Sequence, residues 1–273
     1  IVREVPEKGI KITKVTGQNL PLETHRNVAG VAGLALLEKV DASVGYEIEI
    51  YKKIKPGSGI GSSAASAAGA VFAINELLGK PFSKQELIYF AMQGEKLASG
   101  TEHADNVSPV ILGGFTLVRS YEPLDILKIK SPNELYATII HPQIEVKTSD
   151  SRAVLKNQVS LKKLVTQMGN FGGLISGLYT NDYDLIGRSL HDEIIEPNRL
   201  VLIPEFDKVK KGVIQAGALG AGISGSGPSI FALSKGEETA KLVGKKMAEI
   251  YNNTGIDYDI HVSKINQQGI KIL

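Results

Sequence analysis

The residues from Pro56 to Ser66 read Pro-Gly-Ser-Gly-Ile-Gly-Ser-Ser-Ala-Ala-Ser, three glycines and a serine pair set directly before an alanine-rich helical stretch. Glycine has no Cβ, so such a run folds tightly and lets backbone N–H groups approach an anion. The helix that follows adds the positive end of its dipole. The chemistry implied is phosphate binding, with the polyphosphate of a nucleotide as the natural guest. Two better-known phosphate loops do not fit. A Walker loop places a Lys-Ser/Thr pair after its last glycine, whereas Gly61 is followed by Ser62-Ser63. The dinucleotide fingerprint needs its third glycine three residues after the second, but Gly61 follows Gly59 by two, and the nearest later acid, Glu76, falls inside the helix.

What remains, Pro-x-x-Gly-[Leu/Ile]-Gly-Ser-Ser-Ala, resembles the second motif of the GHMP kinases, a family of small-molecule kinases. Three further constellations stand at spacings such a kinase needs. Gly94-Glu95 precedes the polar run Ser99 to Asn106. A nucleotide-bound Mg²⁺ is a hard ion that takes oxygen ligands and bridges phosphates, and Glu95 with the Ser63 hydroxyl are the candidates. Taken alone, Glu95 would read as a solvated helix residue. Thr148-Ser149-Asp150-Ser151-Arg152 reads first as a helix N-cap. It also holds Arg152, one turn from Thr148 and on the same face, which can fork onto a carboxylate or phosphate. Gly220 to Ser229 is a second glycine-rich loop, by itself only a tight turn. As partner of the first loop it resembles the third motif of the family, so that Gly222, Ser224, Gly225, Ser226 and Gly227 would support the phosphate loop.

The elements that position these groups follow from periodicity and capping. Tyr46 to Tyr51 alternates as a strand ahead of the loop, and Ile1 to Val5 reads like the middle of another. Asn27 to about Lys39 is expected as an amphipathic helix with Val28, Val31, Leu34 and Leu37 on one face. The loop's own helix runs to about Leu78, and Ser83-Lys84-Gln85-Glu86 is a capping box opening a helix to about Ser99. Gly113 to Val118 is a second candidate strand. A change of composition around Ser131-Pro132-Asn133 marks a domain boundary, giving domains 1–132 and 133–273. The second half reads as a strand (Leu135 to His141), helices (about Ser149 to Leu155, Leu161 to Tyr179, Asp207 to Ala216) and a glycine loop from Gly217 to Gly227. A strand (Ser229 to Leu233), a helix (Glu237 to Tyr251) and a strand (Tyr258 to Val262) close it. Strands interleaved with helices on one face suggest an α+β sandwich.

The 273 residues, 42% hydrophobic and 22% charged, have the usage of a globular enzyme with room for two cores. A formal charge of +2 leaves no footprint for nucleic acid or a membrane surface. With no cysteine there is neither a disulfide framework nor thiolate chemistry, which fits a reducing cytosol.

The resemblance covers nearly the whole chain. It implies an α+β, two-domain GHMP kinase fold, with a ribosomal protein S5 domain 2-like N-terminal domain and a ferredoxin-like α/β sandwich C-terminal domain. Arg26-Asn27-Val28-Ala29-Gly30, His103-Ala104-Asp105-Asn106-Val107, Glu196-Pro197-Asn198-Arg199 and Ser224 to Ser229 are similar to the branch that phosphorylates L-homoserine in threonine biosynthesis. By that resemblance Asn27, Lys52 and the residues around Lys55 line the adenine pocket. Pro56, Gly57, Ser58, Gly59, Ile60, Gly61, Ser62, Ser63, Ala64 and Ala65 hold the phosphates of ATP, and Ser63 and Glu95 meet Mg²⁺. His103, Asp105, Arg152 and Arg199 hold the amino acid, and Thr148 stands by the transferring phosphoryl group. A zwitterionic substrate asks for such groups, guanidinium for its carboxylate and an acceptor for its ammonium. The resemblance also implies a cytoplasmic homodimer.

Seven residues before Gly113, where mevalonate-type members carry a catalytic aspartate, stands Asn106, and an amide cannot take a hydroxyl proton. Asp105 is adjacent, but on a regular element neighbouring side chains diverge. The expectation is therefore transfer without a dedicated protein base. The family's opening Ser-x-Asn-Leu-Gly-x-Gly-Phe-Asp type motif has no counterpart here, and the chain is expected to lack about forty N-terminal residues. The rival readings are a mevalonate- or shikimate-type kinase and a non-catalytic nucleotide-binding relative.

Overall fold

The computed structural model describes residues 1–146 and 148–273, Thr148 and Ser149 through their backbone alone. The chain forms two compact units. The first comprises Ile1–Pro56, Gly61–Lys128 and Gln267–Leu273, the second Gly57–Ile60 and Ile129–Asn266. The main division falls after Lys128, slightly before the expected boundary at 132. Two short segments belong with the unit that their position in the chain does not suggest, because contacts rather than chain order decide membership.

In the first unit β1 (Val2–Val5), β2 (Gly9–Thr16) and β3 (Gly45–Tyr51) form a sheet in the order β1-β3-β2, β1 antiparallel and β2 parallel to β3. The sequence reading leaves β2 out. Its apolar alternation, Ile10 and Ile12, slips phase at an irregularity between Ile12 and Lys14 before resuming at Val15. α1 (Val28–Leu37) links β2 to β3, and its buried residues are Ala29, Gly30, Ala32, Gly33 and Leu36. That corrects the expected face of Val28, Val31, Leu34 and Leu37, which is only half-buried. The reason is close helix packing. An added Cβ at Gly30 would strike the Thr24 carbonyl, and one at Gly94 would strike the carbonyl of Val28. α2 (Ser62–Leu77) likewise buries Ala64, Ala67, Ala68, Ala70, Val71 and Ile74, and α3 (Lys84–Ser99) buries Leu87, Ile88, Phe90 and Ala91. Small residues set the spacing of these helices, and larger ones there would cost about 1–3 kcal/mol in overpacking.

α4 (Val107–Leu112) follows, then the hairpin of β4 (Phe115–Tyr121) and β5 (Leu124–Ile129). The strand expected from Gly113 begins at Phe115. Gly113 and Gly114 both have positive φ and form the turn that enters it.

The second unit runs β6 (Leu135–Pro142), α5 (Thr148–Ala153), α6 (Leu161–Thr180), α7 (Tyr183–Ser189), α8 (Glu196–Arg199), α9 (Phe206–Gln215), β7 (Gly220–Ile223), β8 (Ile230–Lys235), α10 (Glu237–Tyr251) and β9 (Tyr258–Lys264). Its sheet is antiparallel in the order β7-β8-β6-β9. With α5 to α8 set aside as an insertion, the order β6-α9-β7-β8-α10-β9 is the β-α-β-β-α-β plan of the ferredoxin-like sandwich. The core lies between sheet and helices, with Ile140, Ile230 and Ala232 packed with Val209, Val213, Val243 and Met247. The expected glycine loop from Gly217 to Gly227 is in part a strand. Gly220–Ile223 pairs with β8, since backbone hydrogen bonds need no side chain, and Gly220 leaves room for the Leu190 side chain. Among the described residues no helix is long and apolar enough to cross a membrane.

Candidate active site

α2 begins at Ser62 behind Gly61, whose backbone is left-handed at φ 74° and ψ 32°. No side chain caps its first turn, and no acidic residue stands in it. The opening N–H groups thus lack both an intrahelical carbonyl and a capping oxygen, at the positive end of a sixteen-residue helix. Such an end receives anions. Gly59, at φ 78°, admits no other residue, because an added Cβ would collide with the Ser224 carbonyl and lie 2.7 Å from that of Gly227. Within the second unit Ser224 Oγ donates to the Gly59 carbonyl (2.8 Å) and Ser229 Oγ to that of Ser58 (2.6 Å). A trans peptide points its N–H opposite to its C=O, so the bond to Ser58 turns the Gly59 N–H away from Ser229.

α3 brings Glu95 to the first unit's part of the site. The helix is fixed at its start by the expected capping box, with Ser83 N–H donating to Glu86 Oε2 at 2.8 Å, and it ends at left-handed Gly100. Glu95 is 5% exposed. Its carboxylate accepts a hydrogen bond from Ser63, while Oε1 has no partner. Burial pushes the Glu95 pKa up and Asp105 adds to the rise, while Ser63, Lys52 and His103 pull it down. Lys52 Nζ donates to the Ser62 carbonyl and to Ser66 Oγ (2.6 Å). Burial lowers the Lys52 pKa to about 8, partly offset by Glu95. A carboxylate left buried with an idle oxygen is costly, and a hard cation beside it removes the cost. Ser63 and Glu95 therefore fit Mg²⁺ on an observation of their own.

His103 Nε2 lies 2.5 Å from Thr101 Oγ1. Asp105 Oδ1 accepts from the Asn106 N–H (2.9 Å) and stands 3.5 Å from Asn106 Nδ2. The expectation that these neighbours diverge is corrected, because they occupy a turn ahead of α4, where the alternation of a regular element does not apply.

A cavity of about 350 Å³ opens between β3 and α2, lined by Ile50, Lys52, Ile54, Ser62, Ala65 and Gly69 among others. Lys53 and Ile54 line it, whereas Lys55 does not. Asn27 does not line this cavity. Its Oδ1 caps α1 by accepting from the Ala29 N–H (3.0 Å) and its Nδ2 donates to the Pro21 carbonyl (2.8 Å), so a buried amide is spent on structure.

In the second unit Arg199 Nε donates to the Ser151 carbonyl (3.2 Å) and Nη1 to that of Gly225 (3.0 Å). Ser151 Oγ donates to the Ser226 carbonyl (2.7 Å), tying α5 to the same turn. Burial lowers the Arg199 pKa, Asp192 opposes the shift, and Arg152 adds to it. Two guanidinium groups close enough to repel are relieved by a shared anion. Arg199, Gly222 and Gly225 also line a cavity of about 200 Å³ with Asp192, Glu196 and His191. The side chain of Thr148 lies outside the described residues. Ser58, Ser151 and Ser229 went unassigned in the sequence as ties between loops. Only a buried serine's partner reveals such a role, and no spacing encodes it.

The folds of the two units define a class. The family model for the N-terminal domain of GHMP kinases matches residues 26–114, and that for their C-terminal domain matches residues 174–253. The chain belongs to the GHMP kinase family. It is an enzyme of the kinase class, and among the relatives similar to it over nearly its whole length are curated homoserine kinases. That of Chlorobium phaeobacteroides strain BS1 is 46% identical over 98% of this chain and 87% of its own, and that of Methanococcus vannielii 40% identical over 92% and 83%. The crystal structure of homoserine kinase from Cytophaga hutchinsonii is similar with a TM-score of 0.94 at 51% identity, covering 98% of this chain and 86% of that one. L. major mevalonate kinase in complex with R-mevalonate, with a TM-score of 0.72 at 20% identity over 97% and 85%, shares the fold.

Proposed function

We propose that the chain transfers the γ-phosphoryl group of ATP to the side-chain hydroxyl of L-homoserine, yielding O-phospho-L-homoserine and ADP on the way to threonine. The observation that carries the phosphoryl-transfer reading is Glu95, a buried carboxylate with an idle Oε1 in the same unit as an uncapped helix N-terminus. The homoserine kinase relatives supply the acceptor. The reading includes a cytoplasmic location and a homodimer.

Ser63 and Glu95 would hold Mg²⁺, which would supply neutralisation of phosphate charge. The N–H groups opening α2 and the bend before them receive the phosphates, and the cavity lined by Lys52 and Ala65 receives the base. In the first unit Asp105 offers a carboxylate to the substrate ammonium, and His103 offers a ring nitrogen. In the second, Arg152 and Arg199 offer guanidinium to its carboxylate. The bond from the homoserine oxygen to γ-phosphorus forms as the bond from that phosphorus to the ADP oxygen breaks. Asn106 cannot accept the hydroxyl proton, and Asp105, which accepts from the Asn106 backbone N–H through Oδ1, is given to the substrate ammonium in this reading. The proton passes to a phosphate oxygen, since a loose transition state asks little of a base and much of positioning and charge neutralisation.

The test is turnover of ATP with Mg²⁺ and L-homoserine set beside L-threonine and mevalonate, the phosphorylated product identified by ³¹P NMR. Turnover confined to L-homoserine is expected. Turnover with mevalonate alone, or with none of the three, overturns the substrate.

A further inference from the structure

α6 is held to its unit along one face. Gln167 Oε1 accepts from the Glu193 N–H (2.9 Å), Asn170 Nδ2 donates to the His191 carbonyl (2.9 Å), and Gly177 and Leu178 are buried. The opposite face carries Leu161, Leu164, Val165, Met168, Phe171 and Tyr179, between 43% and 75% exposed. These positions repeat in sevens. Leu161, Met168 and the half-buried Ile175 form one row, Leu164 and Phe171 the next, and Val165, Gly172 and Tyr179 a third. Single exposed apolar residues are ordinary, but a contiguous stripe marks a contact surface. A period of seven is what another helix reads, knobs into holes.

We infer that this stripe pairs with the same stripe of a second copy of the chain, the two helices antiparallel. Charge selects both occupant and direction. α6 bears charged side chains only at its start, Lys162 and Lys163, and its end leads into Asp182 and Asp184. Lys163 Nζ donates to the Glu193 carbonyl on the packed face and Asp182 caps α7. A two-fold axis across an antiparallel pair therefore sets Lys162 of each copy beside Asp184 and the negative dipole end of the other, whereas a parallel pair stacks like charge on like. The alignment puts the axis near Gly172, within the stripe. An added Cβ there would meet nothing within 4 Å, so no contact inside the chain requires that glycine. In a helix interior glycine costs about 1 kcal/mol relative to alanine. At a crossing point it lets two backbones approach. The inference rests on the homodimer part of the proposed function and on none of its chemistry.

The chain has no cysteine, so single cysteines report geometry. Under mild oxidation Gly172→Cys is expected to give a covalent dimer. Leu161→Cys is not, because antiparallel helices hold the two copies of position 161 roughly 30 Å apart. In sedimentation equilibrium Met168→Asp, at an exposed position, is expected to yield a monomer with an unchanged circular dichroism spectrum. Asp184→Lys should weaken dimerisation at least tenfold, and Lys162→Asp added to it should restore the dimer. A wild-type monomer at about 100 µM overturns both the surface and the homodimer. A wild-type dimer that Met168→Asp leaves intact, or cross-linking through Leu161→Cys, overturns the surface alone.

Discussion

Burial drives the Glu95 carboxyl above the usual carboxylate range against the pull of Ser63, Lys52 and His103. A raised acid holds its proton longer in the folded chain than in the unfolded one. Its contribution to stability is present below the unfolded value of about 4.5 and is lost as pH rises through the folded value. Glu95→Gln is therefore expected to shift the urea midpoint upward at pH 7.5 but little at pH 4, while kcat falls on the order of 10²–10³. An unchanged kcat would remove Glu95 from the site. Lys52 has the opposite sign of shift. Its folded pKa of about 8 lies below the unfolded 10.5, so the relief it brings is present above 10.5 and lost as pH falls through 8. In activity, the KM for ATP should climb as pH passes about 8, and Lys52→Arg should flatten that climb. Asn106→Ala should lower kcat less than about tenfold with the homoserine KM unchanged, because no proton rests on it. Complete loss at unchanged binding would require a base.

The bend before α2 is built by two glycines that share a backbone sign and differ in surroundings. Gly57 and Gly59 have φ of 75° and 78°, but an added Cβ meets nothing at Gly57 and the Ser224 carbonyl at Gly59. Gly57→Ala should cost about 1–2 kcal/mol of unfolding free energy from the left-handed conformation alone, and Gly59→Ala clearly more. Equal costs would mean that the turn from Ser224 to Ser229 does not brace the loop. At this scale α2, α3, α10 and β3 were legible because capping, alternation and the 3.6 period are local. The buried face of α1 was not. Side-chain size pointed to its valines and leucines, and close helix packing chose its alanines and glycines instead. β7 was hidden in the same way, since a glycine strand shows itself only through its neighbour.

The two units are not two stretches of chain. Gln267–Leu273 belongs with the first unit, where the Ile270 N–H donates to the Val110 carbonyl (2.8 Å) and Lys84 Nζ to that of Gln268 (3.3 Å). Deleting residues 267–273 is expected to cost about 1–3 kcal/mol in urea unfolding, the loss of a few hydrogen bonds and their packing. An unchanged midpoint would show the tail to be dispensable. The sequence by itself carried the proposed chemistry: the glycine loop on a helix start through residue type and short spacing, and the carboxylate for a divalent ion, the arginines for a carboxylate and the amide where relatives place a base through the resemblance to GHMP kinases. The tertiary structure alone decided that Asn27 is a cap and that Asp105 and Asn106 meet. It also decided that serines far apart in the chain pin the loop, and that Glu95 is left with an idle oxygen. These depend on which groups burial brings together and which it leaves unsatisfied, and a linear order does not contain that.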